Sequence, residues 1–312
     1  MPDRASSIDV ASTEQQAGAV PRCPACSSAL KDGRLAFVLD DSKWPLKIYR
    51  CACGLHYSDY AVRQVAGDIY DAPYYDHPRY VNAAGRRAYV AHLAGFLTES
   101  IGMPPVSSQR RRLLDVGCAT GDFVEWALQA GWDAEGVDIS PEAVEIGRRV
   151  GLPLRQASIE QASPAGPSYD VVTLWDVLEH LPRPLEALRS AQRILRPGGT
   201  LLLKTATCTS LVDQLARGGY RLSFGKLQAP LKRMYVVGHL YYFTCDTLRR
   251  VLCNAGWTAK LLRQTDTPPA SLSHSRPLQA AFTVLWALQR WTGRCYELMA
   301  ACQRSQRGRP EP

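Results

Sequence analysis

The segment LLDVGCATGDF at residues 113–123 constrains the fold of this 312-residue chain more than any other feature. Its first residues continue an apolar run that predicts a buried β-strand. Gly117 and Gly121 then allow a tight turn, because glycine adopts backbone conformations that other residues avoid. The following DFVEWALQAG predicts a helix that ends at Gly131. A strand that leads through a glycine turn into a helix predicts an α/β fold.

The same alternation of strand and helix patterns continues through residues 132–265. Helix patterns separate most of the strands, and one of them begins with Ser140 as N-cap and Pro141 in its first turn. Such alternation is typical of a parallel sheet with helices on both faces. The sequence therefore predicts a Rossmann-like, doubly wound, mostly parallel sheet. Its further strands are DAEGVDI at 133–139, LPLRQAS at 152–158, YDVVTLW at 169–175, TLLLKTA at 200–206 and WTAKLLR at 257–263.

The glycine turn also indicates the kind of ligand that such a sheet holds. Ligands bind at the carboxyl ends of the strands, at the point where the strand order reverses. Dinucleotide sites need a middle glycine in the turn, where the pyrophosphate presses on the backbone, and here that residue is Ala119. Asp138 ends the second strand, about 20 residues after the first glycine, where a carboxylate can accept hydrogen bonds from ribose hydroxyls. The pattern favours a nucleoside ligand without a phosphate and disfavours NAD.

Four segments in this order resemble the class I S-adenosylmethionine-dependent methyltransferases: LLDVGCATGDF, GVDIS, YDVVTLWDVLEHLPRP and ILRPGGTLLLKT. The resemblance covers residues 70–265 and implies an enzyme that uses S-adenosyl-L-methionine. In the family an acid after the third strand often binds the adenine amino group, whereas here Ser158 stands there, with the Ile159 amide or Glu160 as alternatives. The residues that the resemblance places around the cofactor are Asp115, Gly117, Ala119, Gly121, Asp138, Ile139, Ser158, Ile159, Trp175 and Asp176.

Two histidines are candidates for the proton transfer that accompanies methylation of a hydroxyl. Methyl transfer is an in-line displacement, to which an enzyme contributes mainly alignment, but an alcohol or phenol acceptor must also lose a proton. His180 follows the fourth strand, and His239 lies before the helix that follows the fifth strand. A structural role, such as capping a helix, is the alternative for His180. The sequence is therefore interpreted as that of an enzyme that methylates a small molecule or glycan precursor, with oxygen as the expected acceptor atom.

The stretch WDVLEH also resembles the ubiquinone-pathway O-methyltransferases, in which carboxylates and a histidine can hold a divalent metal. The matching residues are Asp176, Glu179 and His180. Oxygen-rich ligation would suit Mg²⁺, which could polarise hydroxyl groups of the acceptor. A solvated loop without a metal is the alternative.

Four cysteines near the amino terminus have the spacing of a structural metal site. Cys23 and Cys26 form a first pair, and Cys51 and Cys53 form a second, shorter pair followed by glycine. Four thiolates favour a closed tetrahedral Zn²⁺ site. Alternatives are that His56 replaces one thiolate, or that the cysteines form disulfides or stay free. The segment at 21–60 resembles the zinc ribbon that precedes the catalytic domain of some bacterial methyltransferases, including sugar C-methyltransferases, so C-methylation of a nucleotide sugar is the second hypothesis.

The net charge of +8 and the pI near 9.0 favour acidic partners but do not choose among them. The long segment at 208–238 alternates basic with aromatic residues, which suits a lid or substrate insert that binds a phosphate-bearing acceptor such as a nucleotide sugar. A solvated basic loop is the alternative. A third hypothesis is a non-catalytic nucleic-acid-binding protein, although the cysteine segment lacks a clear basic and aromatic face, so no nucleic acid is expected.

The two ends of the chain give further expectations. Residues 1–20 lack the apolar core of a secretory signal and are predicted to be a disordered tail, which together with the lack of a long apolar run favours the cytoplasm. Residues 275–304 are predicted to form an amphipathic helix, because apolar residues recur at helical spacing. That helix would pack on its own domain or in a homodimer. Peripheral contact with an anionic membrane through Trp286 and Trp291 is the alternative.

Overall fold

A computed structural model describes residues 21–40, 45–63, 83–104, 110–162, 166–273 and 275–305. The predicted tail at 1–20 and the first residues, 70–82, of the region at 70–265 lie outside these residues. The described strands are β1 (Arg34–Leu39), β2 (Leu46–Arg50), β3 (His56–Ser58), β4 (Arg112–Val116), β5 (Asp133–Asp138), β6 (Leu154–Gln156), β7 (Tyr169–Trp175), β8 (Leu195–Ala206), β9 (Tyr241–Tyr242), β10 (Trp257–Thr265) and β11 (Glu297–Arg304). The described α-helices are α1 (Asp59–Arg63), α2 (Ala83–Ile101), α3 (Asp122–Gln129), α4 (Pro141–Arg149), α5 (Pro184–Ile194), α6 (Leu211–Leu222), α7 (Ala229–Met234), α8 (Cys245–Asn254), α9 (Pro269–Leu272) and α10 (Arg276–Thr292).

The larger sheet has seven strands in the order β10-β11-β8-β7-β4-β5-β6. Strands β6, β5, β4, β7 and β8 run parallel to one another, whereas β11 is antiparallel to both β8 and β10. The strand order reverses beside β4, so the glycine turn that follows β4 lies where such sheets bind ligands. The predicted doubly wound, mostly parallel sheet is confirmed.

Local signals set the starts of several helices. The Ser140 side chain accepts a hydrogen bond from the Ala143 N–H, with Pro141 in the first turn of α4, as the sequence predicts. Thr244 and Thr247 form a reciprocal capping box at the start of α8. These caps fix the residue at which each helix begins.

The prediction of one helix over 275–304 is wrong beyond residue 292. Helix α10 ends at Thr292, where Gly293 adopts a left-handed conformation, and residues 297–304 form β11. The residues from Glu297 to Cys302 are all buried, because β11 lies inside the sheet with both faces covered. The spacing of the apolar residues Met299 and Cys302 is compatible with one face of a helix as well as with a buried strand, so it did not distinguish the two. In α10 the buried side chains are Trp286 and Gln289, while Leu288 is 49% exposed and Trp291 is 86% exposed.

The smaller sheet is antiparallel, in the order β1-β2-β3-β9. Its last strand comes from residues 241–242, so the cysteine-containing segment and the region after the insert share one sheet. His56 pairs with Tyr242 in the register between β3 and β9. Phe37 and Ile48 pack with Leu231 of α7, so the helices of the insert cover one face of this sheet. None of the described helices is long and apolar enough to cross a bilayer.

Candidate active site and cysteine centre

The turn after β4 requires both of its glycines. Gly117 has a φ of +71°, and a Cβ there would lie 2.4 Å from a methyl carbon of Val177. Gly121 has a φ of +91°, and a Cβ there would lie 2.7 Å from Leu152. Ala119, between them, also adopts a positive φ of 48°. The backbone thus curls tightly at the carboxyl end of β4 and leaves no space for larger residues.

Asp138 at the end of β5 joins the turn to the next strand. Its Oδ2 accepts a hydrogen bond of 2.8 Å from the Ala119 N–H, and its Oδ1 accepts one of 2.9 Å from the Ser140 N–H. Each carboxylate oxygen keeps a further lone pair for a ligand hydroxyl. Burial raises the pKa of Asp138. The neighbouring Ile139 is 55% exposed and offers an apolar surface beside that carboxylate, so the residues expected at the ribose and adenine lie together.

The other cofactor candidates differ in what they contact. The buried Asp115 accepts a hydrogen bond of 2.6 Å from the Thr173 hydroxyl, and burial raises its pKa to about 7. The Ser158 N–H donates to the side chain of Gln161 at 3.0 Å, so this polar group is satisfied locally. Ile159 is buried, whereas Glu160 is exposed. Which group would meet an adenine amino group stays a prediction.

Trp175 and Asp176, which follow one another at the end of β7, point into different surroundings. The Trp175 ring is buried, with centroid distances of 6.5 Å to Phe96 and 5.4 Å to Phe123. Asp176 has a φ of +56°, which is unusual for a residue other than glycine. Its carboxylate accepts hydrogen bonds of 2.6 Å from the Tyr89 hydroxyl and 2.5 Å from the Lys204 ammonium. Asp176 is therefore fixed by two partners in a strained conformation of the kind often found at functional sites.

Sequence reasoning missed the buried charges around Lys204. The Lys204 side chain is only 2% exposed, and its Nζ lies 2.8 Å from a carboxylate oxygen of Glu297 as well as beside Asp176. The Thr267 hydroxyl also donates to Glu297. His92 Nε2 lies 3.8 Å from Glu297, and burial, with Lys204 as a further cause, lowers the pKa of His92 to about 4. A lone lysine within the apolar run LLLK was the only sequence signal for this cluster.

The two candidate histidines lie side by side. Their rings are 4.5 Å apart between centroids and nearly perpendicular. His180 Nδ1 donates a hydrogen bond of 3.0 Å to the Gly238 carbonyl, which leaves Nε2 as the basic nitrogen of a neutral ring. The Leu240 N–H donates to the Glu179 carbonyl at 2.7 Å. The backbone around His239 is therefore tied on both sides to the short 3₁₀ turn Leu178–His180.

Glu179 completes a group of three candidate ligands with these histidines. One ligand atom of each of Glu179, His180 and His239 lies within 4.8 Å of the others. Glu179 accepts a hydrogen bond of 2.8 Å from Thr205, and burial, followed by the charge of Asp176, raises the pKa of Glu179 to about 8. Asp176 lies outside this group of three, so the predicted set of Asp176, Glu179 and His180 is wrong in composition. Two nitrogens and one oxygen suit a transition metal better than Mg²⁺.

The four cysteines meet at one point. The Sγ atoms of Cys23 and Cys53 are 3.6 Å apart, those of Cys26 and Cys51 are 3.4 Å apart, and all four lie within 4.8 Å of one another. Hydrogen bonding with Cys23 lowers the pKa of Cys53 to about 5, which favours its thiolate form. This donor set fits a closed tetrahedral Zn²⁺ site.

His56 does not belong to this centre. His56 lies on β3, and its Nδ1 is 3.3 Å from the Tyr235 hydroxyl oxygen. Burial lowers the pKa of His56 to about 3. The alternative in which His56 replaces a thiolate is therefore wrong.

Comparisons with known proteins agree with this geometry. The profile of a family described as "Methyltransferase domain" matches residues 86–261, more than half of the chain. The ubiquinone biosynthesis O-methyltransferase of Bordetella avium is 36% identical over 110 residues, which are 32% of this chain and 44% of that protein. The enzyme of the same name from Xanthomonas campestris is 37% identical over 112 residues, 34% of this chain and 47% of that protein. The chain thus spans less than half the length of these curated relatives.

A solved structure shares the fold. The PH0226 protein from Pyrococcus horikoshii aligns with a TM-score of 0.50 and 14% identity, over 75% of this chain and 100% of that one. The sheet order, the glycine turn and Asp138 define a class I methyltransferase, which takes its methyl group from S-adenosylmethionine. The chain belongs to the methyltransferase domain family, and the predicted resemblance is confirmed.

Proposed function

We propose that this methyltransferase methylates a hydroxyl oxygen of a small molecule or glycan precursor. The observation that carries the proposal is the pair of His180 and His239, whose ring centroids are 4.5 Å apart beside the carboxyl end of β7. The O-methyltransferases of Bordetella avium and Xanthomonas campestris, to which part of the chain is similar, support oxygen as the acceptor atom. The alternative is C-methylation of a nucleotide sugar.

The residues of the turn do the binding in this proposal. When bound, S-adenosylmethionine supplies a methyl group attached to a sulfonium sulfur, and the leaving group is a neutral thioether. Gly117 and Gly121 let the backbone approach the ligand, and Asp138 accepts hydrogen bonds from its ribose. The ion pair of Asp176 with Lys204 holds the end of β7 rigid. Holding donor and acceptor in line is the larger part of the rate enhancement.

His239 is the proposed general base, and His180 is a positioning residue. The Nδ1–H of His180 is committed to the Gly238 carbonyl, so this bond orients the segment that carries His239. His239 packs between the rings of His180 and Tyr242, with a centroid distance of 5.5 Å to Tyr242. Proton transfer to a positioned histidine contributes about 10²–10⁴-fold to such reactions.

Substituting Asp138 with alanine is expected to weaken binding of S-adenosylmethionine by about 100-fold or more. Two hydrogen bonds to a charged acceptor are lost, each worth about 1.5–3 kcal/mol. Isothermal titration calorimetry with the methyl donor and with its demethylated product measures this. Asp246→Ala, whose side chain is 80% exposed, is the control and should bind as the wild type does. Folded wild-type protein that binds neither compound would contradict the assignment of the cofactor pocket.

Substituting His239 with alanine is expected to lower kcat by about 10²–10⁴-fold while S-adenosylmethionine affinity stays unchanged. Isotope-labelled methyl transfer, screened against catechols, other phenols and nucleotide sugars, identifies the acceptor and the methylated atom first. Added imidazole should restore part of the activity of His239→Ala. His180→Asn, which keeps an N–H donor for the Gly238 carbonyl, should retain most activity. Wild-type activity that chelators abolish and a transition metal restores, while the zinc content of the cysteine centre stays unchanged, would instead favour a metal at Glu179, His180 and His239.

A further inference from the structure

A cavity of about 150 Å³ lies between the smaller sheet and helix α6. Nine residues line it, and four of them are arginines, namely Arg34, Arg50, Arg217 and Arg221, whereas none is acidic. The buried His56 and the aromatic residue Tyr220 complete its polar wall. The cavity is thus strongly basic and is formed by two segments that lie far apart in the sequence.

The register of the smaller sheet places like charges opposite one another. Arg34 pairs with Arg50 between β1 and β2, and Arg50 pairs with His56 between β2 and β3. Residues directly opposite in neighbouring strands project from the same face, so these three side chains share one rung of the sheet. Opposed like charges destabilise a sheet. Among the residues that the structure describes, neither arginine has a carboxylate partner, so the repulsion is not compensated within this part of the chain.

Arg217 closes the cavity from the side of α6 and is held rigidly. Its guanidinium lies 2.5 Å from the buried carboxylate of Asp213 and donates to the Cys208 carbonyl at 3.2 Å. Asp213 also accepts a hydrogen bond of 2.7 Å from the Tyr235 hydroxyl. The Nε of Arg217 is buried and has no hydrogen-bond partner within the described residues. Arg217 is therefore a preorganised cation that retains one unused buried donor.

The pKa of His56 reflects the positive electrostatic potential that the arginines create in the cavity. Burial is the main cause that lowers the pKa of His56 to about 3, and the charges of Arg217 and Arg50 lower it further. The imidazole is consequently neutral at physiological pH. Its Nδ1–H donates to the Tyr235 oxygen, because the Tyr235 hydroxyl hydrogen is used by Asp213. Burial by itself disfavours any charge, but the part of the shift that Arg217 and Arg50 cause reflects a positive potential, which favours an anion.

We propose that this cavity binds the phosphate group of a small-molecule ligand, with Arg34, Arg50 and Arg217 as its principal partners. Guanidinium groups bind phosphate through paired, charge-assisted hydrogen bonds, and several cations match a dianion. The cavity is smaller than the roughly 300–1,000 Å³ that hold a drug-sized ligand, so one phosphate group enters and the rest of the ligand stays outside.

The cavity is distinct from the methyl-transfer site. The rings of Tyr235 and Tyr242 lie between His56 and His239, with centroid distances of 6.4 Å, 4.4 Å and 5.5 Å along this series. A phosphate at Arg50 therefore does not contact the histidine pair. The proposal does not depend on O-methylation, and its test does not use methyl transfer.

The test is binding of inorganic phosphate and pyrophosphate to the full chain, measured by calorimetry and by the shift in melting temperature, with chloride at equal ionic strength as reference. We expect saturable binding by the wild type and at least about tenfold weaker binding by Arg50→Gln. Without phosphate, Arg50→Gln should melt at the same temperature as the wild type or higher, because repulsion from Arg34 is removed. Arg250→Gln, which removes one exposed charge from α8, is the control and should bind as the wild type does.

The arms of the experiment separate the sources of phosphate. If pyrophosphate binds more tightly than phosphate, and Arg50→Gln loses this binding, the ligand contains a diphosphate. If phosphate binds more tightly than pyrophosphate, the ligand is a phosphomonoester. Binding that persists in Asp138→Ala shows that the cavity acts independently of the cofactor pocket. The proposal is overturned if neither probe binds, if Arg250→Gln weakens binding as much as Arg50→Gln, or if Arg50→Gln lowers the melting temperature without changing phosphate affinity.

Discussion

Substituting Cys51 with serine is expected to abolish metal binding by the cysteine centre and to lower methyl transfer by tenfold or more, while S-adenosylmethionine affinity changes by less than about twofold. Zn²⁺ bound by four thiolates contributes about 10–16 kcal/mol of binding free energy to small zinc domains, and this energy is lost with a ligand. Cys23 and Cys51 belong to the same buried cluster as Leu55 and Tyr57, and Cys51 donates its N–H to the Leu55 carbonyl at 2.8 Å. Loss of the metal therefore loosens the turn between β2 and β3.

The effect on catalysis follows from the pairing of β3 with β9. Tyr57 pairs with Tyr241, and the Ser58 N–H donates to the Leu240 carbonyl at 3.0 Å. His239 immediately precedes this ladder, so a loosened β3 loses its hold on the proposed base. The predicted cofactor residues lie at the ends of β4, β5, β6 and β7 of the other sheet, so we expect binding of S-adenosylmethionine not to depend on this ladder.

Metal analysis of the purified protein, limited proteolysis of residues 21–58 and the methyl-transfer assay measure these effects. Cys253→Ser is the matched control, because Cys253 is exposed and lies outside the four-cysteine group. We expect one zinc per wild-type chain and faster cleavage of the segment in Cys51→Ser. A purified wild type without metal, or a Cys51→Ser variant that behaves as Cys253→Ser does, would refute the assignment of a structural zinc.

The parts of the candidate site that lie on one strand-turn-helix unit and on the strand that follows it were predictable from the sequence. Gly117, Gly121 and Asp138 are recognisable because the chemistry of the turn restricts which residues can stand there. Their spacing along the chain also fixes their positions at the end of β4 and β5. The hydrogen bond between Asp138 and the Ala119 N–H confirms that the two strand ends meet.

Contacts between distant segments were not predictable in the same way. Whether His180 and His239 meet depends on the pairing of β3 with a strand of two residues, for which the sequence carries no periodic signal. The opposition of Arg34 and Arg50 depends on a register that includes an irregularity between Leu35 and Phe37. The error at β11 has a related origin, because an interior strand is apolar on both faces and lacks the alternation that identifies exposed strands.

Lys204 illustrates how such contacts produce a buried charge cluster. Its partners are Asp176 at the end of β7, Tyr89 from α2 and Glu297 from β11. No sequence pattern indicated that these segments meet, since residues around Glu297 were predicted to be helical. Yet a lysine that is 2% exposed can be tolerated only when opposite charges surround it.

Substituting Lys204 with methionine is expected to lower the free energy of unfolding by about 3–5 kcal/mol at neutral pH. Methionine fills similar space, but Asp176 and Glu297 are left as neighbouring buried carboxylates without their cation. Lys260→Met, on the exposed side of β10, is the matched control and should change stability by less than about 0.5 kcal/mol. Chemical denaturation monitored by circular dichroism measures both.

The pH dependence of Lys204→Met distinguishes lost charge pairing from lost packing. Burial raises the pKa of Glu297 in the native protein, and removal of Lys204 takes away a cause that lowers it. A carboxyl group whose pKa is higher when folded binds more protons in the native state, so stability falls as pH rises through its range. The deficit of the variant should therefore be largest at neutral pH and shrink toward acid pH, and Glu297→Gln added to Lys204→Met should recover part of it. A deficit that is constant with pH, and that Glu297→Gln leaves unchanged, would show that Lys204 acts through packing and not as the counter-ion that fixes Asp176 beside the cofactor pocket.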